Sequence, residues 1–187
     1  RFGECLWVCP VGQDCPDPHG VSLLLEPGLA FGTGTHPTTA MCLAWLDGQE
    51  LHGLRVLDYG CGSGILAIAA LVLGADRCTG VDIDPQALLA SRDNALRNAC
   101  SERLALGAPA ACPAEGHDVI VANILSGPLV QLAPTLRRYA APATRIALSG
   151  ILAGQSTEVV AAFRPWVKLE LTAQQDDWVL LTGCVAD

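Results

Sequence analysis

The feature that most constrains the fold is a glycine-rich segment at residues 58–64, with the sequence DYGCGSG, between two apolar runs. The run at residues 54–57 is short and predicts a buried strand, whereas the run at residues 65–73 predicts an apolar helix closed by Gly74. Glycine is favoured where the backbone adopts a positive φ or approaches a ligand closely. The segment therefore predicts a strand-loop-helix unit whose loop contacts a ligand; the other interpretation is a glycine-rich turn that binds nothing.

Short apolar runs alternate with helical patterns from residue 54 onward, which predicts a parallel sheet with helices on both faces. Asp84 and Pro85 have the residue types of a helix N-cap and a first helical position. Ser63 and Ser126 are likewise interpreted as N-caps of the helices that follow them. Further strands are predicted at residues 78–83, 103–106, 118–122 and 145–148, and further helices at residues 85–98, 129–139 and 155–163.

The end of the chain breaks this alternation. Two apolar runs, residues 167–172 and 178–182, are separated by the sequence AQQDD, which is too short for a helix. They predict an antiparallel hairpin at the edge of the sheet. An α/β, Rossmann-like fold with a mostly parallel seven-stranded sheet and a C-terminal antiparallel hairpin resembles the architecture of class I methyltransferases.

The length of 187 residues predicts one domain. We expect residues 54–187 to form the Rossmann-like core. Residues 1–53 are expected to form an N-terminal segment that includes a strand at residues 21–25, a glycine- and threonine-rich loop, and a helix with Pro37 near its start. Because the chain begins at Arg1 without Met, we expect it to be a piece of a longer protein.

Charge and cysteine content narrow the partners and the compartment. The net charge of −8 disfavours nucleic acid, because affinity for phosphates comes from clustered Lys and Arg, and it favours a basic protein substrate. No apolar run has the length and purity of a membrane span. The nine cysteines contain no C-x-x-C spacing, which indicates reduced thiols and a cytoplasmic location. Cys5, Cys9, Cys15 and His19 form one metal-like cluster, but their spacing matches none of the common zinc patterns, so no metal is expected.

The glycine spacing indicates the class of ligand. A dinucleotide fingerprint, G-x-G-x-x-G, that began at Gly60 would place its last glycine at position 65, where the chain has Ile65. The observed D-x-G-x-G-x-G spacing favours an S-adenosylmethionine site, in which Gly62 lies where the backbone meets the ligand. Asp82, about twenty residues further on at the end of the next strand, is predicted to bind ribose hydroxyls. The other interpretation of Asp82 is an exposed loop acid.

Two further polar residues are candidates for the chemistry. Asn123 follows the fourth predicted strand, at the sheet edge where ligands of open α/β sheets bind. Its neutral amide cannot act as a general base, but it can orient an amine, and a turn-forming asparagine explains the pattern equally well. His36, beside Pro37, is a candidate proton acceptor, although a structural role at the helix start is favoured.

Four stretches together resemble the ribosomal-protein methyltransferase family called PrmA: LEPGLAFGTGTHPTT, VLDYGCGSGILAIAAL, GVDIDPQALLASRDNALRN and VANILSGPL. The resemblance extends from Arg1 to Gly183, and the FGTGTHPTT stretch is its most specific part. It implies S-adenosylmethionine-dependent methylation of a large-subunit ribosomal protein, the one numbered eleven, at lysine side chains and the α-amino group. It also implies a further substrate-binding N-terminal domain, which we expect to lie outside these 187 residues. Residues 107–116, rich in Ala and Pro, look irregular for the family.

The resemblance also implies the cofactor contacts, at Thr39, Gly60, Asp82 and Asn123, to which the glycine loop adds Gly62. Phe31, Thr33, Thr35 and His36 are expected in the loop beside the cofactor, and Phe31 is included among the cofactor-binding residues. The catalytic residue stays unassigned, with Asn123 and His36 as candidates.

The predicted reaction is displacement at the cofactor's methyl carbon by a neutral amine, with the protein supplying alignment and exclusion of water. Other functions stay open. A methyltransferase of the same fold can instead transfer the methyl group to a small molecule, a nucleic acid or a glutamine amide. The glutamine family, however, has Asn-Pro-Pro-Tyr where this chain has NILS at residues 123–126. A dinucleotide oxidoreductase is disfavoured by the glycine spacing, and a non-catalytic nucleoside-binding module has the same cofactor motifs.

Overall fold

Two sheets are found in the computed structural model, which describes residues 1–13, 15–25 and 36–186. The strands are β1 (Leu6–Pro10), β2 (Val21–Leu25), β3 (Arg55–Tyr59), β4 (Arg77–Val81), β5 (Leu104–Gly107), β6 (His117–Asn123), β7 (Ala140–Leu152), β8 (Val167–Gln175) and β9 (Trp178–Val185). The helices are α1 (Pro37–Asp47), α2 (Ile65–Val72), α3 (Pro85–Arg97), α4 (Ser126–Arg137) and α5 (Ser156–Phe163).

The main sheet has the strand order β5-β4-β3-β6-β7-β9-β8. Strands β3 to β7 pair in parallel, and β9 pairs antiparallel with both β7 and β8. The chain runs outward from β3 through β4 to β5 and then returns to β6 on the other side of β3. Strand order therefore reverses between β3 and β6, and ligands of open α/β sheets bind outside the carboxyl ends of the strands at such a point. The predicted mostly parallel sheet with a C-terminal hairpin is confirmed.

Apolar side chains cover both faces of this sheet. Successive residues of a strand point to opposite faces, so in β3 Val56 belongs to one buried cluster and Leu57 to the other. Helix α2 is buried over nearly its whole length because its sequence, ILAIAALV, is apolar on all sides. The apolar run after the glycine segment therefore anchors the loop between β3 and α2 to the core.

The helix starts differ in part from the sequence-based expectations. Asp84 caps α3, since its carboxylate accepts a hydrogen bond from the Gln86 backbone N–H at 2.9 Å. The assignment of Ser63 as a cap was wrong: Gly64, in the left-handed region, precedes α2, and no side chain caps this helix. The assignment of Ser126 was also wrong, because Ser126 is the first helical residue and Leu125 precedes it. Helix α2 begins one residue later than an N-cap at Ser63 would require, and helix α4 begins one residue earlier than an N-cap at Ser126 would require.

The terminal hairpin is longer than the sequence predicted. Its strands continue to Gln175 and resume at Trp178, so a two-residue turn of Asp176 and Asp177 replaces the predicted five-residue connection. Asp176 has φ 53°, a left-handed conformation that Asp tolerates in tight turns. The polar pair Gln174 and Gln175 can join the sheet because both side chains are exposed at the end of β8, which is an edge strand.

The N-terminal strands form a separate parallel pair. Leu6 of β1 and Leu23 of β2 are fully buried against the core, next to α1. The strand at residues 21–25 was predicted, whereas β1 was not. Asp47, at the end of α1, accepts hydrogen bonds from the backbone N–H groups of Cys5 and Leu6, so the first strand is tied to that helix. In the described part of the chain, no helix is long and apolar enough to cross a membrane.

Candidate functional site

Two cavities open at the carboxyl ends of β3 and β6, where the strand order reverses. Their volumes are about 410 and 390 Å³, and they share Gly60, Ile124 and Leu125. The first cavity, bordered by β3, α2, β6 and α1, is called the polar cavity below. The second, bordered by β4 and α4, is called the apolar cavity. Two adjoining compartments of this size suit one elongated ligand with chemically different halves.

The polar cavity is lined by functional groups from several elements. Its polar lining residues include His36, Thr38, Thr39, Asp58, Ser63 and Asn123. The apolar cavity is lined mainly by aliphatic and proline side chains, with Asp82 as its one ionisable group besides the Tyr59 phenol among the described residues. Neither cavity is lined by a Lys or Arg from the described residues. Taken together, the described residues of the two cavities offer a ligand the carboxyl groups of Asp58 and Asp82 and no Lys or Arg.

The loop between β3 and α2 has the conformation that its glycines allow. Gly60, Gly62 and Gly64 have φ values of 79°, 54° and 79°, all in the left-handed region. A Cβ placed on Gly62, which lines the polar cavity, would have no atom of the described residues within 4 Å apart from its chain neighbours. A Cβ on Gly60 would collide with the side chain of Ile124. The loop thus presents bare backbone to the cavity, and its contact with a cofactor stays a prediction.

Asp82 lies beside this loop and holds it. One carboxylate oxygen accepts a hydrogen bond from the Gly62 backbone N–H at 2.9 Å, and the other accepts one from the Asp84 backbone N–H at 3.0 Å. The side chain is half-buried and lines the apolar cavity. Each carboxylate oxygen has two acceptor sites, so the group can still accept hydrogen bonds from a ligand. The geometry is compatible with the predicted ribose contact and excludes a free loop acid.

Asp58, the first residue of the glycine motif, is a functional candidate to which the sequence reasoning gave no role. Its carboxyl is 1% exposed, and Oδ2 accepts a hydrogen bond from the Ala67 backbone N–H at 3.0 Å. Its Oδ1 is buried without a hydrogen-bond partner in the described part of the protein. Burial raises the pKa of the Asp58 carboxyl to about 7, and the nearby charge of Asp82 adds to the rise. An acid at the end of a buried strand was a signal available in the sequence.

Ser63 is the second residue of the polar cavity with an unsatisfied buried atom. Its Oγ has no hydrogen-bond partner among the described residues, and Ser63 is 4% exposed. A buried polar atom without a partner costs on the order of 1–3 kcal/mol. Asp58 and Ser63 line the same cavity, so a ligand that hydrogen-bonds to both would remove this cost in both places.

Asn123 and Thr39 meet in the polar cavity. The Asn123 side-chain amide donates a hydrogen bond to Thr39 Oγ1 at 3.1 Å, across 84 residues of sequence. Its amide oxygen has no partner in the residues that the structure describes. Thr39 is 5% exposed and lies in the first turn of α1, so α1 fixes the orientation of the Asn123 amide. The structure therefore brings together two residues that the sequence placed far apart.

His36 forms the N-cap of α1. Its Nδ1 accepts a hydrogen bond from the Thr38 backbone N–H and lies 2.8 Å from Thr38 Oγ1. When Nδ1 accepts, the neutral imidazole carries its proton on Nε2 and has no free acceptor nitrogen. The His36 ring also packs edge to face against Trp178, with 5.2 Å between ring centroids. These contacts support the structural role rather than that of a proton acceptor.

Trp178 and Gly150 also line the polar cavity, although neither residue was predicted from the sequence. Gly150, at φ 82°, lies so close to Ile124 that an added Cβ would collide with the Ile124 carbonyl. Phe31, Thr33 and Thr35, which were predicted beside the cofactor, lie outside the described residues. Within residues 1–13, 15–25 and 36–186, no group of three or more His, Cys, Asp or Glu side chains is arranged to hold a metal ion.

Comparison with known proteins gives consistent matches. Residues 1–185 match the family described as ribosomal protein L11 methyltransferase (PrmA). A protein named ribosomal protein L11 methyltransferase from Hahella chejuensis is 58% identical over 183 residues, which cover 98% of this chain and 63% of that protein. One of the same name from Chromohalobacter salexigens is 61% identical over 185 residues, covering 98% of this chain and 62% of that protein. The chain thus spans less than two thirds of the length of these relatives.

Solved structures show the same fold. The crystal structure of a ribosomal protein L11 methylase from Lactobacillus delbrueckii subsp. bulgaricus has a TM-score of 0.88 and 28% identity, covering all of this chain and 97% of that one. An RNA methyltransferase from Salinibacter ruber, solved with S-adenosyl-L-homocysteine, has a TM-score of 0.63 and 18% identity, covering 81% and 92% of the two chains. At that identity, the second similarity concerns the fold alone.

Proposed function

This chain belongs to the ribosomal protein L11 methyltransferase family, and we propose that it binds S-adenosylmethionine and transfers its methyl group to amines of ribosomal protein L11. The acceptor amines that we propose are lysine side chains and the α-amino group. The net charge of −8 suits a basic ribosomal protein, and the proposed location is the cytoplasm. A direct nucleic acid contact, a membrane contact and a metal are not part of the proposal.

The observation that carries the proposal is the buried Oδ1 of Asp58, which has no partner among the described residues, in a cavity that no described Lys or Arg lines. A buried carboxyl is satisfied best by a cation. S-adenosylmethionine carries an ammonium group and a sulfonium, whereas a nicotinamide dinucleotide carries a pyrophosphate. The charge of the polar cavity therefore favours the methyl donor over a dinucleotide, independently of the glycine spacing.

The two cavities divide the cofactor between them. We assign the amino acid part to the polar cavity, with its ammonium beside Asp58 and its carboxylate near Ser63. The ribose is assigned to Asp82, and the adenine to the apolar cavity between Ile83 and Pro109. Gly60 and Gly62 give the backbone surface between these parts. Phe31 is retained as a cofactor contact by family resemblance.

Asn123 and Thr39 are assigned to the methyl-transfer end of the site. The bound cofactor supplies an electrophilic methyl group on its sulfonium. Because Thr39 accepts one N–H of Asn123, the Asn123 amide oxygen is held in place and can accept an N–H from the incoming amine. This orients the amine lone pair without removing a proton. His36 fixes the start of α1 and thereby the position of Thr39.

No side chain of the described residues is assigned as a general base. The amine must be neutral to react, and the aliphatic side chains of Ile65, Leu66 and Ile124 in the cavity lining disfavour its charged form. Desolvation then lowers the pKa of the amine. Alignment and exclusion of water are the remaining contributions of the protein.

Two measurements test the proposal. Calorimetric titration is expected to show binding of S-adenosylhomocysteine and no binding of NAD at the same concentration. Mass spectrometry of L11 after incubation with the enzyme and S-adenosylmethionine is expected to show added methyl groups at lysine and α-amino positions. Binding of NAD in place of S-adenosylhomocysteine would contradict the cofactor assignment. Cofactor binding with methylation of another acceptor would leave the fold and the cofactor in place and contradict the substrate.

A further inference from the structure

One face of helix α3 carries three polar side chains that bind backbone outside the helix. Ser91 and Asn94 are 0% and 7% exposed, and Asn98 follows one turn later at the C-cap. Such burial of hydroxyl and amide groups is costly unless each has a hydrogen-bond partner. Their partners identify what this face of the helix does.

Ser91 and Asn94 bind the glycine loop. Ser91 Oγ donates a hydrogen bond to the Gly62 carbonyl at 2.8 Å, and the Asn94 amide donates one to the Ser63 carbonyl at 2.9 Å. A Cβ on Gly64 would lie 2.9 Å from Ser91 Oγ and 3.1 Å from Ser91 Cα, so loop and helix are in direct contact. Two consecutive carbonyls of the loop thus point away from the cavity, towards α3.

The Gly62 peptide groups are therefore held from two sides. Asp82 accepts the hydrogen bond of the Gly62 N–H at 2.9 Å, while Ser91 donates to its carbonyl. Asp82 and Ser91 belong to the same β4–α3 unit, one before the helix and one within it. Glycine has more backbone freedom to lose than any other residue, so a loop with glycines at positions 60, 62 and 64 is intrinsically flexible. Its conformation is fixed by these neighbours.

We propose that Ser91 and Asn94 are positioning residues for the cofactor: by holding the Gly62 and Ser63 carbonyls, they keep the glycine loop in its binding conformation before the ligand arrives. Neither residue lines the polar or the apolar cavity. They act through the loop, and preorganisation of this kind increases affinity by removing the entropic cost of ordering the loop on binding. This inference rests on the proposed function, because it assumes that the loop binds S-adenosylmethionine.

Asn98 offers a matched control. Its side-chain amide accepts a hydrogen bond from the Leu24 N–H and donates one to the Leu24 carbonyl, each at 2.8 Å. It therefore binds strand β2 and not the glycine loop. Asn98→Ala removes at least as many hydrogen bonds as Ser91→Ala or Asn94→Ala, from the same helix. A loss of stability alone would be shared by all three variants.

The test is calorimetric titration of wild type and the three variants with S-adenosylhomocysteine, together with urea unfolding. We expect Ser91→Ala and Asn94→Ala each to raise the Kd about fivefold, which corresponds to the loss of one hydrogen bond of about 1 kcal/mol. Asn98→Ala is expected to lower stability and leave the Kd within twofold of wild type. Equal Kd values for all four proteins would overturn the proposal and leave the two residues as structural.

Asn94→Asp gives a second variant that retains the shape of the side chain. It replaces the donor to the Ser63 carbonyl by an acceptor, while Arg97, which donates to Asn94 Oδ1 at 3.2 Å, keeps its partner. The added negative charge alone would lower the Kd for the cationic S-adenosylmethionine. A raised Kd is therefore attributed to displacement of the loop. An unchanged or lowered Kd would contradict the positioning role.

Hydrogen exchange separates positioning from general destabilisation. In Ser91→Ala without ligand, the amides of residues 62–64 are expected to exchange faster than in wild type, whereas saturating S-adenosylhomocysteine should restore their protection. Exchange that rises evenly over the whole chain would contradict a local role. If wild type itself did not bind S-adenosylhomocysteine, the proposed function would fail first, whatever the variants showed.

Discussion

The two ends of the sheet at strands β3 and β6 differ in whether their buried polar groups have hydrogen-bond partners. At the carboxyl ends, Asp58 Oδ1 and Ser63 Oγ are buried without partners in the described residues. At the amino end of β6, His117 is 6% exposed, yet Nδ1 lies 3.4 Å from the Tyr139 carbonyl and Nε2 lies 3.3 Å from Thr79 Oγ1. Both nitrogens of the neutral His117 ring are satisfied by the protein itself.

This difference indicates which end of the sheet has polar groups available to bind a ligand. A buried group that the protein satisfies stabilises the structure, while an unsatisfied group that lines a cavity can be satisfied by a ligand. Burial also changes the two pKa values in opposite directions. It raises the pKa of Asp58 to about 7 and lowers the pKa of His117 from its usual value. Ligand binding is expected to involve the carboxyl end alone.

The largest expected effect comes from Gly62→Val. The new side chain would enter the polar cavity, where a Cβ meets no atom of the described residues within 4 Å apart from its chain neighbours, and would occupy the space assigned to the cofactor. We expect S-adenosylhomocysteine binding to be abolished, as measured by calorimetry. Gly53→Val is the control, since Gly53 has φ 77° and an equally open surrounding outside both cavities. If both variants lost binding equally, the effect would be due to the strain of placing valine at a positive φ, and not to blocking of the cavity.

The next-largest effect on binding is expected from Asp58→Asn, because it removes the charge of the side chain with little change of shape. Loss of a charge-assisted hydrogen bond corresponds to roughly a thirtyfold increase in the Kd for S-adenosylmethionine. In wild type, the pKa of about 7 predicts that affinity rises about tenfold from pH 6 to pH 8, as the ligand selects the ionised carboxyl. Asp58→Asn should show no such rise. A variant that retains the pH dependence would show that another group causes it.

The same residue gives a stability prediction with a definite sign. Since the pKa of Asp58 is raised from 3.8 to about 7 by burial, its contribution to stability is fully present below pH 3.8 and is lost as the pH rises through about 7. The difference in unfolding free energy, Asp58→Asn minus wild type, should therefore grow from pH 4 to pH 7 in urea titrations. A constant difference over this range would mean that the carboxyl is not buried in the unliganded protein.

Asp82→Ala is expected to have a smaller effect on binding. It removes the acceptor of the Gly62 N–H and the proposed ribose contact, which together correspond to a loss on the order of 1–3 kcal/mol in cofactor affinity. The matched control is Asp84→Ala, which removes a helix cap two residues away without lining either cavity. Unchanged affinity in Asp82→Ala, measured by calorimetry, would contradict the ribose assignment.

The smallest effect on binding is expected at the other end of the sheet. His117→Asn should leave the Kd for S-adenosylhomocysteine unchanged. Because burial lowers the pKa of His117, its contribution to stability is present above the unfolded pKa of about 6.5 and is lost as the pH falls through the lower folded value. The wild-type protein should therefore lose stability below pH 6.5, and the variant should lose less. A changed Kd would show that the two ends of the sheet are coupled.

The sequence by itself determined the frame of the site. Local patterns set the β-α alternation, the glycine loop, the Asp84 cap and the positions of Asp82 and Asn123 at strand ends, because each depends on residues that are near one another in the chain. Family resemblance added Thr39. At Ser63 and Ser126, by contrast, a residue type that commonly caps helices did not predict where the helix begins.

The tertiary structure decided which of these residues act together. Asn123 meets Thr39 across 84 residues, and Ser91 meets Gly62 across 29, contacts that no local pattern encodes. It also decided that Asp58 is buried and that its Oδ1 has no hydrogen-bond partner among the described residues, because burial depends on how α2 and the neighbouring strands pack over β3. Short-range propensity fixes elements, whereas the charge and solvation of a site arise when distant elements exclude water from the same space.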